Sequence, residues 1–202
     1  MVSGTWYEKC SHVPFTNQHL QNRMRCFLGI MLEEELRDTL SEVLISAEKP
    51  SHLKRVDESL WHMTLVFLGE VEPDRIRDVI RICSYYRKRP GTFVFNKLEA
   101  FPAHSTSPRL IAANGLLQPI EGWRRYVKAI RKELLPYAPN MDRKEWISHV
   151  TLAKSSAGHQ LPKWNLPMTP YRWEPSGFHL IHSKHGPDGV TYQMIHEFPY
   201  TN

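Results

Sequence analysis

Cysteine is scarce in this 202-residue chain: Cys10, Cys26 and Cys83 are odd in number, and no two share a C-x-x-C spacing. A disulfide framework and a cysteine zinc site are thereby excluded, and reduced thiols suit the cytoplasm. Long apolar runs are missing as well. Nothing approaches the roughly eighteen consecutive apolar residues of a membrane-spanning helix. The opening MVSGTWYEKCSHVPF has neither the basic start nor the apolar stretch of a signal peptide. The expectation is a cytoplasmic protein without membrane contact. Nor does one charge sign dominate: 26 Lys and Arg face 21 Asp and Glu, a net +5. Such an excess favours an anionic ligand without demanding one. Ten glycines against fifteen prolines imply stiff turns and short elements. Apolar residues at 41% and charged residues at 23% exclude wholesale disorder. The length fits one domain or two small lobes sharing a core.

Residues 1–23 are polar and aperiodic and read as an extension; 24–202 read as a single bilobal domain. Arg25–Ile30 has the length and apolarity of a strand. Glu33–Ala47 places Leu36, Leu40, Val43 and Leu44 at helical spacing, with acids in the first turn where the helix dipole favours them. Trp61–Leu68 predicts a buried strand ended by Gly69. Pro73 to about Tyr86 predicts an amphipathic helix with Ile76, Val79, Ile80 and Cys83 on one face. Thr92–Phe101 and Arg109–Ala113 read as strands. Gln118–Leu135 reads as a helix with Trp123, Tyr126, Val127 and Ile130 inward and Arg124, Arg125, Lys128, Arg131 and Lys132 outward. Ile147–Ala153 predicts a strand, Leu161–Pro170 a loop, and Tyr171–His182 and Val190–Phe198 two closing strands. Strand, helix, strand thus occurs twice in matching order, which suggests an α+β fold of two similar lobes with antiparallel sheets facing a central cleft.

The two matched strands share one tetrapeptide: His62-Met63-Thr64-Leu65 and His149-Val150-Thr151-Leu152. With 11 His, 10 Thr and 20 Leu, roughly 0.05 copies of H-x-T-L are expected by chance. In a strand, residues two apart share a face, so His62 pairs with Thr64 and His149 with Thr151. Two lobes related by a pseudo-twofold axis would bring both pairs to one cleft. Such a constellation suits a phosphate diester. One imidazole serves as base and the other as acid, while two hydroxyls hold the non-bridging oxygens. A single H-x-T on a strand is ordinarily structural, a histidine bonded to backbone beside a β-favouring threonine. It is the second copy on an equivalent strand that argues for catalysis. No metal is needed for this chemistry, and there is no H-E-x-x-H.

On these residues the chain resembles the two-histidine (2H) phosphoesterases, and within them the LigT-like RNA 2′,3′-cyclic phosphodiesterases, also called 2′-5′ RNA ligases. The resemblance runs from about Arg25 to Phe198. It is carried by Arg25-Cys26-Phe27-Leu28-Gly29-Ile30, by the extended H-x-T-L-x-F-L-G at His62–Gly69, by Ser148–Lys154 and by a closing strand containing Tyr192. Three positions depart from the family's habit: Ser148 replaces a common proline, Lys154 a common arginine and Trp61 a smaller residue. Lysine keeps the charge but loses the bidentate fork of arginine, which bears on substrate range. The resemblance implies hydrolysis of 2′,3′-cyclic phosphate ends of RNA to 2′-phosphates without a cofactor, with reversible 2′-5′ ligation open to the same site. It further implies His62 as proton donor, His149 as proton acceptor, and Thr64, Thr151 and Lys154 on the phosphate. The expected partner is RNA or an oligoribonucleotide with a cyclic end, and a monomer suits two lobes forming one cleft.

Other features point elsewhere with less force. His179, His182, His185 and His196 cluster near the C-terminus, but alternation sets His179 against His182, so a solvated or supporting role outweighs a metal site. His104, with Ser105 and Thr106, lies in a Pro-rich loop, where solvation is the default. The basic outer side of the third helix would suit an RNA backbone, although a charge run is more often a wet face. Trp61, Phe101, Trp146 and Tyr192 are candidates to stack a nucleobase. Two competing functions remain: an RNA-binding module with a vestigial site, and a 2H phosphodiesterase for small cyclic nucleotides or 2′-5′ oligoadenylates.

Overall fold

The computed structural model describes residues 23–46, 52–102, 105, 107–156, 159, 161, 164–187 and 189–201. Apart from Arg23, the expected N-terminal extension lies outside the described residues, as do Ala47, His104 and Thr106. In chain order the elements are β1 (Met24–Met31), α1 (Glu34–Ser46), β2 (Leu53–Arg55), β3 (His62–Val71), α2 (Ile76–Cys83) and β4 (Thr92–Phe101). They continue with β5 (Leu110–Gln118), α3 (Ile120–Leu134), β6 (His149–Ser155), β7 (Asn165–Trp173), β8 (Gly177–Gly186) and β9 (Gly189–Pro199).

The three helices form where apolar side chains recur at helical spacing. Leu36, Leu40 and Leu44 are the buried stripe of α1, whose first turn carries Glu34 and Glu35. On α3 the stripe is Trp123, Val127, Ile130 and Leu134, and the helix ends with Arg131 and Lys132 near the exposed carbonyls. On α2 the inward face is Ile76, Val79, Ile82 and Cys83. Ile80, expected inward, is half-buried and packs against the core at the rim of this face.

Among the described residues nine strands join one antiparallel sheet, in the order β7-β4-β5-β6-β3-β1-β8-β9, with β2 flanking β6. Its centre is narrow: β3 and β6 meet through one residue pair, Met63 opposite Val150. The expected two sheets are the two sides of this pinch. Outward from it run β6, β5, β4 and β7 on one side and β3, β1, β8 and β9 on the other. In each half the motif strand pairs with the strand that precedes the helix, β3 with β1 and β6 with β5. α3 packs against β5 and β3, α2 packs on α3, and α1 reaches β7.

Four departures from the sequence reading have physical causes. The stretch expected as a loop over Leu161–Pro170 becomes strand from Asn165, running through Trp173. Its prolines are tolerated because β7 is an edge, and Pro167 lies beside a register shift opposite Phe95–Lys97. The strand expected as Tyr171–His182 is therefore divided between β7 and β8. Gly69 does not end β3; with φ +73° it forms a bulge opposite Cys26, and the strand continues to Val71. A Cβ there would lie 3.0 Å from the Asn140 carbonyl oxygen. β2, only three residues long, carried no periodic signal.

Candidate active site

Register places the functional side chains. On β3, Met63 and Leu65 are buried while His62 and Thr64 are half-buried on the opposite face. Cross-strand partners share a face, and Gly29 lies opposite Thr64 and Met31 opposite His62. Phe27, two residues before Gly29, joins that face. Gly29 has a steric role: a Cβ there would fall 2.9 Å from the Phe27 ring and 3.4 Å from the His62 ring. On β6, His149 is opposite Asn114 and Thr151 opposite Ala112. Both motif pairs thus stand on the sheet face away from the apolar residues, one step either side of the Met63–Val150 junction.

Lys154 reaches this face through an irregularity. Three residues beyond Thr151, simple alternation would turn it to the other side. A register shift between Ile111 and Ala112 absorbs one residue of β6, so Lys154 pairs with Leu110 and returns to the face of Thr151.

Both imidazoles are held alike. His62 Nδ1 lies 2.7 Å from the Leu60 carbonyl oxygen and His149 Nδ1 lies 2.9 Å from that of Ile147. A carbonyl only accepts, so each ring carries its proton on Nδ1 and keeps Nε2 for chemistry. His62 Nε2 is 3.1 Å from Thr64 Oγ1. Aromatic rings brace both: Phe27 lies 4.7 Å and Tyr192 5.2 Å from His62, and Phe101 stacks on His149 at 4.4 Å and 16°. Burial pushes the His62 pKa down to about 4, helped by the charges of His149 and Lys154 and opposed by the Leu60 carbonyl. Burial lowers the His149 pKa too, opposed by the Ile147 carbonyl. Neutral imidazole is favoured at both positions, and His149 and Lys154, on the other motif strand, are among the charges that act on His62.

Several supporting residues escaped the sequence reading. Ser148, where the family commonly has proline, is buried, and its hydroxyl donates to the Gly115 carbonyl. The Gly115 amide donates back to Ser148 at 3.2 Å, which fixes the chain just before His149. Asn114 donates to Glu99 at 2.9 Å, and Lys97 pairs with Glu99 at 2.7 Å. Asn114 neighbours His149 by register, a relation visible only once strands are paired.

The stacking candidates separate by location. Trp61 is 1% exposed and donates to the Val56 carbonyl, so it belongs to the core. Trp146 donates to the Thr64 carbonyl at 2.8 Å and packs on Trp123, bracing β3 from the helical side. Phe101 and Tyr192 spend their faces and edges on the two histidines. His179 lies beside Gly29 on the cleft face and His182 beside Cys26 on the other. The basic side of α3 lines a hollow of about 450 Å³ with Val127, Met141 and Trp146, and none of the four motif residues reaches it.

Paired H-x-T motifs on adjoining central strands, each ring tied through Nδ1 to a backbone carbonyl, form an arrangement that resembles the site of the two-histidine phosphoesterases. Comparison with known proteins narrows this. Residues 30–112 match the family model described as LigT like Phosphoesterase. The chain is 28% identical over 181 residues to an RNA 2′,3′-cyclic phosphodiesterase of Thermus thermophilus, covering 87% of this chain and 89% of that one. It is 24% identical over 184 residues to a Thermotoga maritima protein of the same name, covering 86% and 94%. A crystal structure of a Thermus thermophilus protein superposes with a TM-score of 0.74 at 24% identity, over 87% of this chain and 97% of that chain. Escherichia coli LigT complexed with 3′-AMP superposes at 0.72 and 20% identity, over 89% and 99%; both likenesses concern the fold. In its motifs, in sequence and in fold the chain is thus similar to the LigT-like 2H phosphoesterases.

Proposed function

We propose that the protein hydrolyses the 2′,3′-cyclic phosphate ends of RNA to 2′-phosphates by paired-histidine acid–base catalysis, with no requirement for a metal. The supporting observation is the duplicated motif, with both rings tied through Nδ1 to the carbonyl two residues upstream. That tie orients each Nε2 for proton transfer. A diester lying between them meets one nitrogen on the side of the attacking water and the other on the side of the leaving 3′ oxygen. Thr64 and Thr151 donate to the non-bridging oxygens, and Lys154 adds positive charge. The same site run backwards joins a cyclic end to a 5′-hydroxyl through a 2′-5′ bond.

The resemblance assigns protonation of the leaving oxygen to His62 and activation of water to His149. The depressed His62 pKa, about 4, favours the reverse, since burial beside His149 and Lys154 keeps that ring unprotonated. Under that second reading His149 is the acid and His62 the base. The names of the relatives, RNA 2′,3′-cyclic phosphodiesterases, carry the choice of RNA over smaller nucleotides. The experiment is turnover of 2′,3′-cyclic mononucleotides and cyclic-ended oligoribonucleotides in excess EDTA, with the product phosphate located. Release of 2′-phosphate is expected; no turnover on any substrate would leave an RNA-binding module with a vestigial site.

A further inference from the structure

Beside Lys154, the end of the cleft carries further residues, Lys54, His52 and His159, that hydrolysis of a cyclic phosphate does not use. Among the described residues β2 pairs with the end of β6 alone, and its register puts Lys54 directly opposite Lys154. Cross-strand partners share a face, so Lys54 stands on the same side as Thr151 and Lys154. Like charges directly opposite one another destabilise a strand pair. Neither lysine forms an ion pair among the described residues. Next to them His52 and His159 stack with ring centroids 3.8 Å apart and planes 25° from parallel, both exposed. The stack is tied to the same strand ends: Ser156 N donates to the His52 carbonyl at 2.9 Å, and Ser155 Oγ to that of His159 at 2.7 Å. Exposed Arg109, whose carbonyl accepts from Ser155 N at 2.8 Å, adds a further cation.

Unpaired cations beside an exposed aromatic stack are the two parts of a single-strand RNA platform. The cations follow the backbone, and flat rings receive bases regardless of sequence. We infer that Lys54, Lys154 and the His52–His159 stack form a subsite for the RNA chain on the 5′ side of the cyclic end. A phosphodiester is held between the lysines, and a nucleobase continues the imidazole stack. An anion between Lys54 and Lys154 relieves their repulsion, which gives the facing pair a reason to exist. This inference rests on the proposed function and narrows its substrate class: the preferred substrate is an oligoribonucleotide end, and a cyclic mononucleotide fills only part of the site.

The test compares kcat/KM for a 2′,3′-cyclic mononucleotide with that for a cyclic-ended tetraribonucleotide, in the wild type and in Lys54→Ala, Lys54→Arg and His159→Ala. The wild type is expected to favour the tetranucleotide at least tenfold. Lys54→Ala should remove about tenfold of that preference through KM, and Lys54→Arg should keep most of it. The salt dependence of tetranucleotide KM should be shallower in Lys54→Ala by about one phosphate contact, a slope change of roughly 0.7 on logarithmic axes. His159→Ala should lower the preference severalfold without altering the salt slope. Equal kcat/KM for both substrates in the wild type, or a preference indifferent to Lys54→Ala, overturns the subsite while the hydrolytic reading stands. If the wild type turns over neither substrate, the hydrolytic reading itself has failed.

Discussion

The halves of the molecule are alike in plan and unlike in electrostatics. His62 and His149 occupy matched strands, share the Nδ1-to-carbonyl tie and stand one step either side of the same residue pair. Yet His62 lies among Phe27, Tyr192 and the Thr64 hydroxyl, whereas His149 stacks on Phe101 and neighbours the Asn114–Glu99–Lys97 network. Lys154, on the His149 strand, further depresses protonation of His62. Duplication of a fold supplies two equivalent rings. The proposed acid–base catalysis needs two inequivalent ones, and the residues that surround the two rings differ.

The largest effects should come from the rings themselves. His62→Ala and His149→Ala are each expected to lower kcat/KM by about 10³-fold with circular dichroism and Tm little changed. Loss of the fold in both would return the histidines to a structural role. To separate acid from base, a substrate with sulfur in place of the leaving 3′ oxygen reduces the need for protonation. Whichever variant regains activity on it has lost the acid: His62→Ala on the division implied by family resemblance, His149→Ala on the reverse.

Thr64→Ala and Thr151→Ala should each cost about 10²-fold in kcat. The contrast lies in the pH profile. Thr64 touches His62 Nε2, so its loss should also move a limb of the kcat/KM profile, while Thr151→Ala should leave both limbs in place. A shift of the limbs on Thr151→Ala alone would reverse this picture of the two halves.

A smaller effect concerns the position of that profile. The kcat/KM curve should be bell-shaped with both limbs below pH 6.5, since both pKa values are lowered and that of His62 is about 4. Lys154→Ala removes a cation that disfavours protonated His62, so the lower limb should rise by up to about half a pH unit. Lys154→Arg should leave it unmoved.

Stability should register the same asymmetry most weakly. A histidine whose folded pKa is depressed favours the native state while neutral, and that contribution is lost as pH falls below its unfolded value. Tm should therefore decline between pH 6.5 and about 4, more from His62 than from His149. His62→Gln should flatten that decline more than His149→Gln; equal flattening would erase the distinction.

The motif pairs were legible because strand alternation is local: His62 with Thr64, and His149 with Thr151, follow from period two alone. The α1 and α3 stripes were legible for the same kind of reason. Elements that depend on neighbours were not. β7 carries Pro167 and Pro170, which read as loop until the strand is known to be an edge. Lys154 was singled out through family resemblance, yet its orientation depends on one absorbed residue in the β5–β6 register. Lys54 gave no signal, since its importance comes from a strand far away in the sequence. Phe101 read as a base-stacking candidate but is 8% exposed and already stacked on His149.

By itself, then, the amino-acid order determined which side chains share a strand face or a helix stripe, because those relations repeat over a few residues and need no partner. Tertiary structure decided which strands lie side by side, where a bulge shifts a face, and how deeply each imidazole is buried. Those outcomes depend on contacts between distant segments, and through them two copies of one H-x-T-L pattern come to stand in different surroundings.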